Sequence, residues 1–254
     1  MDKEEKLYRL IEKIEVGSRN ELLALARSLI GKGGAIYTPN PIMLFDALEN
    51  PKLYEALMRG VNIPDGVGVA PALSRIGKSG EVLAGVELAR ELISGSDARF
   101  AVIGGKIGRA EAAGRALEKY GGRLVLALDG YSYGEGRLAA ALDIASPDIA
   151  FICYGSPKQE LFIDKMRGNF EKTLFLGLGG SVDIYSGAKR RAPLFWRKMR
   201  LEWLWRMICE PRRFLMLYKI LGFLKIAGKL KKFRHFEGKN GKKSVIIDNL
   251  HPRI

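Results

Sequence analysis

A chain of 254 residues, 47% of them hydrophobic, is long enough to bury a substantial core, which excludes disorder throughout and predicts a globular domain with an appendage. The formal charge of +14 is unevenly spread: residues 189–243 hold 18 Lys and Arg against three acids, Glu202, Glu210 and Glu237, so the rest of the chain is nearly neutral. Two cysteines, Cys153 and Cys209, are too few for a disulfide framework, and the only histidines, His235 and His251, lie in the basic tail, so no histidine-based or Cys/His zinc site and no catalytic histidine is expected in the core.

The chain opens with the charged segment MDKEEKLYRL rather than the apolar stretch of a secretory signal, and it contains no run of about 18 uncharged apolar residues, so no conventional spanning helix is expected. From residue 35 onward, short apolar runs at 35–37, 61–63, 100–103, 124–128, 149–153 and 173–176 alternate with amphipathic stretches. That pattern is expected of parallel strands joined by crossover helices and predicts an α/β fold with an open, mostly parallel, Rossmann-like sheet. Helical spacing and high Ala content mark 107–120 and 137–145, and 158–167 follows a proline suited to a helix start.

The character changes near Lys189, where KRRAP precedes Trp196, Trp203 and Trp205 interleaved with arginines. We expect an α/β domain over 1–195, a basic, helical, amphipathic membrane-binding appendage over 196–236, and a loosely ordered tail over 237–254. In 213–233, at about 100° per residue, Lys225, Lys229 and Lys232 share one face and Phe214, Leu217, Leu221 and Leu224 another. Lysines would attract lipid headgroups and RNA phosphates alike; the intervening apolar residues and the tryptophans favour an anionic membrane surface over nucleic acid.

Ligands of open α/β sheets bind outside the carboxyl ends of the strands, here in the loops YTPNP, NIPDGVG, VIGGKIG, YGSPKQE and LGLGGSVD. In VIGGKIG, the amides of Gly104, Gly105 and Gly108 could receive a diphosphate at a helix N-terminus, although a tight turn also needs glycine. The spacing lacks the full dinucleotide pattern, which disfavours an NAD-dependent enzyme. Asp65 is the candidate general base in a core without histidine, with a plain Pro-Asp-Gly turn as the alternative. Thr38 and Asn40 could orient a sugar or cap the helix beginning near Pro41. Gln159, flanked by Lys158 and Glu160, offers both donor and acceptor, and Asp183 could read a base or ribose or cap a helix.

Taken jointly and in order, YTPNP, IPDGVG, GSPKQE, GLGGSVDIYSGAKRRAP and LEWLWRMICEPRR resemble the WecG/TagA/CpsF glycosyltransferases over about residues 35–214. The resemblance implies inverting transfer of a sugar, of N-acetylmannosamine type, from a UDP donor to a sugar on a polyprenyl diphosphate, at the inner face of the cell membrane in cell-surface polysaccharide or teichoic acid synthesis. It implies that Asp65 is the base, that Thr38, Asn40 and Gln159 line the sugar and acceptor side, and that Asp183 contacts the nucleotide. It also implies that Arg206 and Arg213, from the appendage, complete the site. Guanidinium groups there could stabilise the departing diphosphate without a metal, so no cofactor beyond the UDP-sugar co-substrate is expected. A homo-oligomer is compatible with this reading. One departure stands out: where members of the family carry an arginine just before the AG of EVLAGVEL, this chain has Val82 and Leu83, with Lys78 or Arg90 as substitutes. The rival from another class is a non-enzymatic α/β module binding RNA or a nucleotide through its basic end.

Overall fold

The computed structural model describes residues 1–130, 134–199 and 201–230, together with the backbone of 233–237 and 243–247. Helices α1 (Lys3–Glu12) and α2 (Arg19–Ser28) precede β1 (Gly34–Tyr37), which is followed by α3 (Pro41–Glu49), α4 (Pro51–Arg59) and β2 (Val61–Asn62). Next come α5 (Ala70–Arg75), α6 (Gly85–Ile93), β3 (Arg99–Gly104), α7 (Arg109–Glu118), β4 (Arg123–Leu128), α8 (Glu135–Ala145) and β5 (Ile149–Cys153). The chain continues through α9 (Lys158–Met166), β6 (Leu174–Gly177), α10 (Ser181–Tyr185), α11 (Leu194–Lys198), α12 (Glu202–Cys209), a 3₁₀ turn over Pro211–Met216, α13 (Leu217–Ala227), and strands β7 (Phe233–Glu237) and β8 (Lys243–Ile247).

The six expected strands form one sheet in the order β2-β1-β6-β5-β3-β4, every neighbouring pair parallel. Its side chains alternate between two cores: Ala35, Tyr37, Ala101, Ile103, Ala150 and Ile152 face one, and Ile36, Phe100, Val102, Ile149, Phe151 and Cys153 the other. Helices cover both faces, which is why strands such as IAFIC are apolar at every position. The first face is packed by α1, α3, α4, α5, α8, α9 and α13, the second by α2, α6, α7 and α10.

Two helices that the strand-centred sequence reading did not place open the chain. Asp2 caps α1 by accepting from the Glu5 N–H, and Ser18 with Glu21 forms a reciprocal capping box on α2. The Lys78 ammonium donates to the carbonyls of Glu12 and Ile14, fastening the segment after α5 to the end of α1.

Helix α13 shares the first core. Phe223 and Leu230 are fully buried and Ala227 nearly so, Gly222 lets the helix pass close against Phe45, Lys219 pairs with Asp46 at 2.6 Å, and Lys229 pairs with Glu4 at 2.6 Å. Leu217, Leu221 and Leu224 remain exposed on the opposite side, while Lys232 lies outside the described residues. Of the tail over 237–254, only the antiparallel ladder of β8 with β7 is described; the remainder lies outside the described residues. No helix among the described residues is long and apolar enough to cross a membrane.

Candidate active site

Three loops at the carboxyl end of the sheet are laced together around Asp65. The Ile63 N–H donates to the Tyr37 carbonyl at 2.9 Å, the Asp65 N–H to the Pro39 carbonyl at 3.1 Å, and the Leu83 N–H to the Pro64 carbonyl at 3.0 Å. Gly66 then turns with φ 73° and ψ 167°, a conformation reserved to glycine, which ends the strand sharply and leaves the Asp65 side chain beside the start of α6.

There the Gly85 N–H, at the first turn of α6, lies near the Asp65 carboxyl. Thr38 is buried, and its Oγ1 would stand only 3.3 Å from a Cβ at Gly85, so Thr38, Gly85 and Asp65 form one close-packed group. Burial pushes the Asp65 carboxyl above the usual carboxylate range; Glu202 pushes the same way, while Arg206, the Gly85 N–H and Arg191 favour the charged form. A carboxylate so tuned is a stronger base than one in water and keeps cations close to hold its charge.

Leu83 is fully buried in the second core, and the cations whose fields reach Asp65 come from elsewhere: Arg206 on α12 and Arg191 in the KRRAP segment. Arg90, the other proposed substitute, pairs with Glu91 at 2.9 Å and lies over the Tyr120 ring.

Asn40 is the N-cap of α3: its Oδ1 accepts from the N–H groups of Ile42 and Met43 at 3.0 and 3.1 Å. Gln159 is buried and clamps two loops, its Oε1 accepting from the N–H of Gly155 at 3.2 Å and of Gly179 at 2.8 Å, while its Nε2 donates to Glu160 at 2.8 Å. Gly177 leaves room for that amide, since a Cβ there would lie 2.8 Å from Gln159 Nε2. Glu160 has no exposed surface, and burial drives its carboxyl above the ordinary range.

The glycines of VIGGKIG meet backbone demands. Gly104, Gly105 and Gly108 all have positive φ, and a Cβ on Gly104 would collide with the Cys153 backbone at 2.6 Å. The loop opens α7, whose first residue, Arg109, pairs with Asp183 at the start of α10. Asp183 also meets Lys189 at 3.2 Å, and Lys189 in turn meets Glu210 at 2.9 Å, which accepts from Arg213 Nε at 2.9 Å. Arg213 and Asp183 therefore belong to one charge network, and Asp65 and Arg206 share a second with Arg191, Glu202 and Glu87. Reading along the sequence missed Arg109, Lys189, Arg191, Glu87 and Glu202. KRRAP was visible in it, but as a domain boundary, not as part of a site.

A parallel α/β sheet whose strand-end loops gather a tuned carboxylate, glycine-lined helix starts and several arginines has the make-up of an enzyme acting on a phosphate-bearing substrate. The chain belongs to the glycosyl transferase WecG/TagA/CpsF family, whose model matches residues 10–236. It is 35% identical over 190 residues to the N-acetylglucosaminyldiphosphoundecaprenol N-acetyl-beta-D-mannosaminyltransferase of Bacillus spizizenii, covering 72% of this chain and 74% of that protein. It is 31% identical over 189 residues to the protein of the same description from Bacillus subtilis strain 168, covering 71% and 73%. Membership decides between the two classes weighed from sequence: the chain is a glycosyltransferase.

Proposed function

We propose that this glycosyltransferase moves an N-acetylmannosamine-type sugar from a UDP donor to a sugar carried on a polyprenyl diphosphate, with inversion at the anomeric carbon. The observation that carries this reading is the setting of Asp65, packed against Thr38 and Gly85 and facing Arg206 at the strand ends. The relatives' described activity motivates the choice of donor sugar and acceptor. Asp65 takes the proton from the acceptor hydroxyl as that oxygen bonds to the anomeric carbon. The bond from that carbon to the diphosphate oxygen breaks with its electron pair, and UDP departs. Negative charge grows on the leaving diphosphate, where Arg206, Arg213 and the amides of the glycine loop supply compensating donors. Asp183 serves the nucleotide, while Thr38, Asn40 and Gln159 shape the sugar side.

The appendage brings this site to its lipid-linked substrate at the inner face of the cell membrane. Leu194, Phe195, Trp203, Ile208, Leu215 and Leu221 are all exposed; Lys198 and Arg212 lie among them in sequence and Lys225 follows closely. Apolar residues at headgroup depth with cations beside them suit an anionic bilayer surface.

The test is transfer from a panel of UDP-sugars to a synthetic prenyl-diphosphate-linked N-acetylglucosamine, with and without EDTA, by wild type and Asp65→Asn. Product from wild type alone supports the reading and names the donor. Equal turnover by Asp65→Asn removes Asp65 from the mechanism, and no product from any donor refutes the assigned substrates.

A further inference from the structure

Glu202 and Glu210 are the acids of the described part of the appendage, and they stand in the same relation to their surroundings. Glu202 offers one carboxylate oxygen to Arg206 at 2.9 Å and the other to Arg191 at 3.7 Å. Glu210 offers one oxygen to Arg213 at 2.9 Å and the other to Lys189 at 2.9 Å. In both cases one oxygen holds an arginine of the appendage and the other a cation of the KRRAP segment. Each of those cations is anchored in turn, Arg191 to Glu87 at 2.7 Å and Lys189 to Asp183 at 3.2 Å.

The pairs Glu202 with Arg206 and Glu210 with Arg213 lie within a turn of chain and need no tertiary structure. The bonds to Arg191 and Lys189 do need it, and they turn two local pairs into two bridges. An isolated exposed ion pair contributes little. Here the pairs are chained, and all their partners except exposed Lys189 are partly buried, so each fixes the orientation of the next. Without its glutamate, either arginine would lose the contact that sets its direction.

We propose that Glu202 and Glu210 are positioning residues. With one oxygen each clamps the appendage to the core, and with the other it aims an arginine, Arg206 beside Asp65 and Arg213 on the Asp183 side. The aiming role rests on the transfer reaction proposed above; the clamping role does not.

The full chain is compared as wild type, Glu202→Gln, Glu210→Gln, the double variant and Glu202→Asp. Backbone amide exchange across 201–213 is measured alongside kcat and KM on a short-chain, water-soluble acceptor. The double variant is expected to exchange faster across 201–213 and to lose roughly tenfold to a hundredfold in kcat with a smaller change in KM, the signature of misplaced catalytic groups. Glu202→Asp, which keeps the charge, should recover part of the loss relative to Glu202→Gln. Exchange equal to wild type in the double variant would overturn the clamp, and faster exchange with unchanged kcat would overturn the aiming. If wild type itself transfers no sugar, the substrate assignment has failed instead, and exchange alone decides the clamp.

Discussion

Asp65, in the loop that ends β2, and Arg206, near the end of α12, act on one another across the two parts of the chain: the guanidinium favours the charged carboxylate that burial opposes. The proposed base thus depends on Arg206 of the appendage for part of its electrostatic environment, and this can be read in a pH profile. A base must be ionised to work, so kcat/KM falls on the acid side as Asp65 takes up a proton. Burial places that limb above the ordinary aspartate value of about 3.9. Arg206→Ala removes a cation that lowers the Asp65 pKa, so the limb should move to higher pH. A limb that stays in place would show that another group controls it.

The capping duty of Asn40 and its proposed sugar-side duty can be separated. Asn40→Ala should destabilise the protein by about 1 kcal/mol through loss of the α3 cap. Asn40→Asp keeps the capping oxygen and should melt like wild type. No hydrogen bond among the described residues uses the Asn40 amide nitrogen, so Asn40→Asp should still lose transfer activity if that group holds the sugar. Full activity with an intact melting curve would limit Asn40 to capping.

Buried Glu160 makes stability depend on pH in a direction that can be stated. Its folded pKa is raised above the unfolded value of about 4.3, so the native state holds the proton more tightly, and stability is lost as pH rises through the folded pKa. Glu160→Gln keeps the oxygen that accepts from Gln159 and removes the titration. Its advantage should be near zero at pH 4 and grow toward neutrality in thermal melts. Parallel melting behaviour at every pH would mean that Glu160 titrates alike in both states.

The cysteines should differ in reactivity. Cys209 is exposed, whereas Cys153 is buried in β5 with its thiol pushed up to about 12. Alkylation of the native protein at pH 8 should therefore modify Cys209 alone, with Cys153 reacting only after denaturation. Mass spectrometry of the labelled peptides decides this, and early modification of Cys153 would contradict its burial.

Helix α13 presents two unlike faces. Phe223→Ala should cost about 3–5 kcal/mol by opening a cavity in the shared core. Leu221→Ser, on the exposed face, should leave the melting temperature nearly unchanged and weaken sedimentation with phosphatidylglycerol vesicles. Undiminished vesicle binding after Leu217, Leu221 and Leu224 are all replaced by Ser would remove this face from the proposed membrane contact.

The sheet was legible in the sequence because a strand buried on both faces must be apolar along its whole length. Runs such as IAFIC and LFLG also stop at glycine- or proline-containing loops. Asp65 stood out as a candidate because a carboxylate just past a strand and before Gly66 is placed where ligands of such sheets bind. The apolar stripe of Leu217, Leu221 and Leu224 could be read from helical periodicity, and in the structure it is exposed.

Only the tertiary structure decided what those elements meet. Periodicity shows that Phe223 and Ala227 share a face but not that α3 receives it, and it gives no hint that Lys78 fastens α1. The Gln159 clamp depends on two loops brought side by side by adjacent strands β5 and β6. The charge networks through Arg191 and Lys189 depend on where α12 comes to rest. A sequence records which side chains must leave water because that preference belongs to each residue. An ion pair between distant segments belongs to two residues at once, and it exists only after folding has set the distance between them.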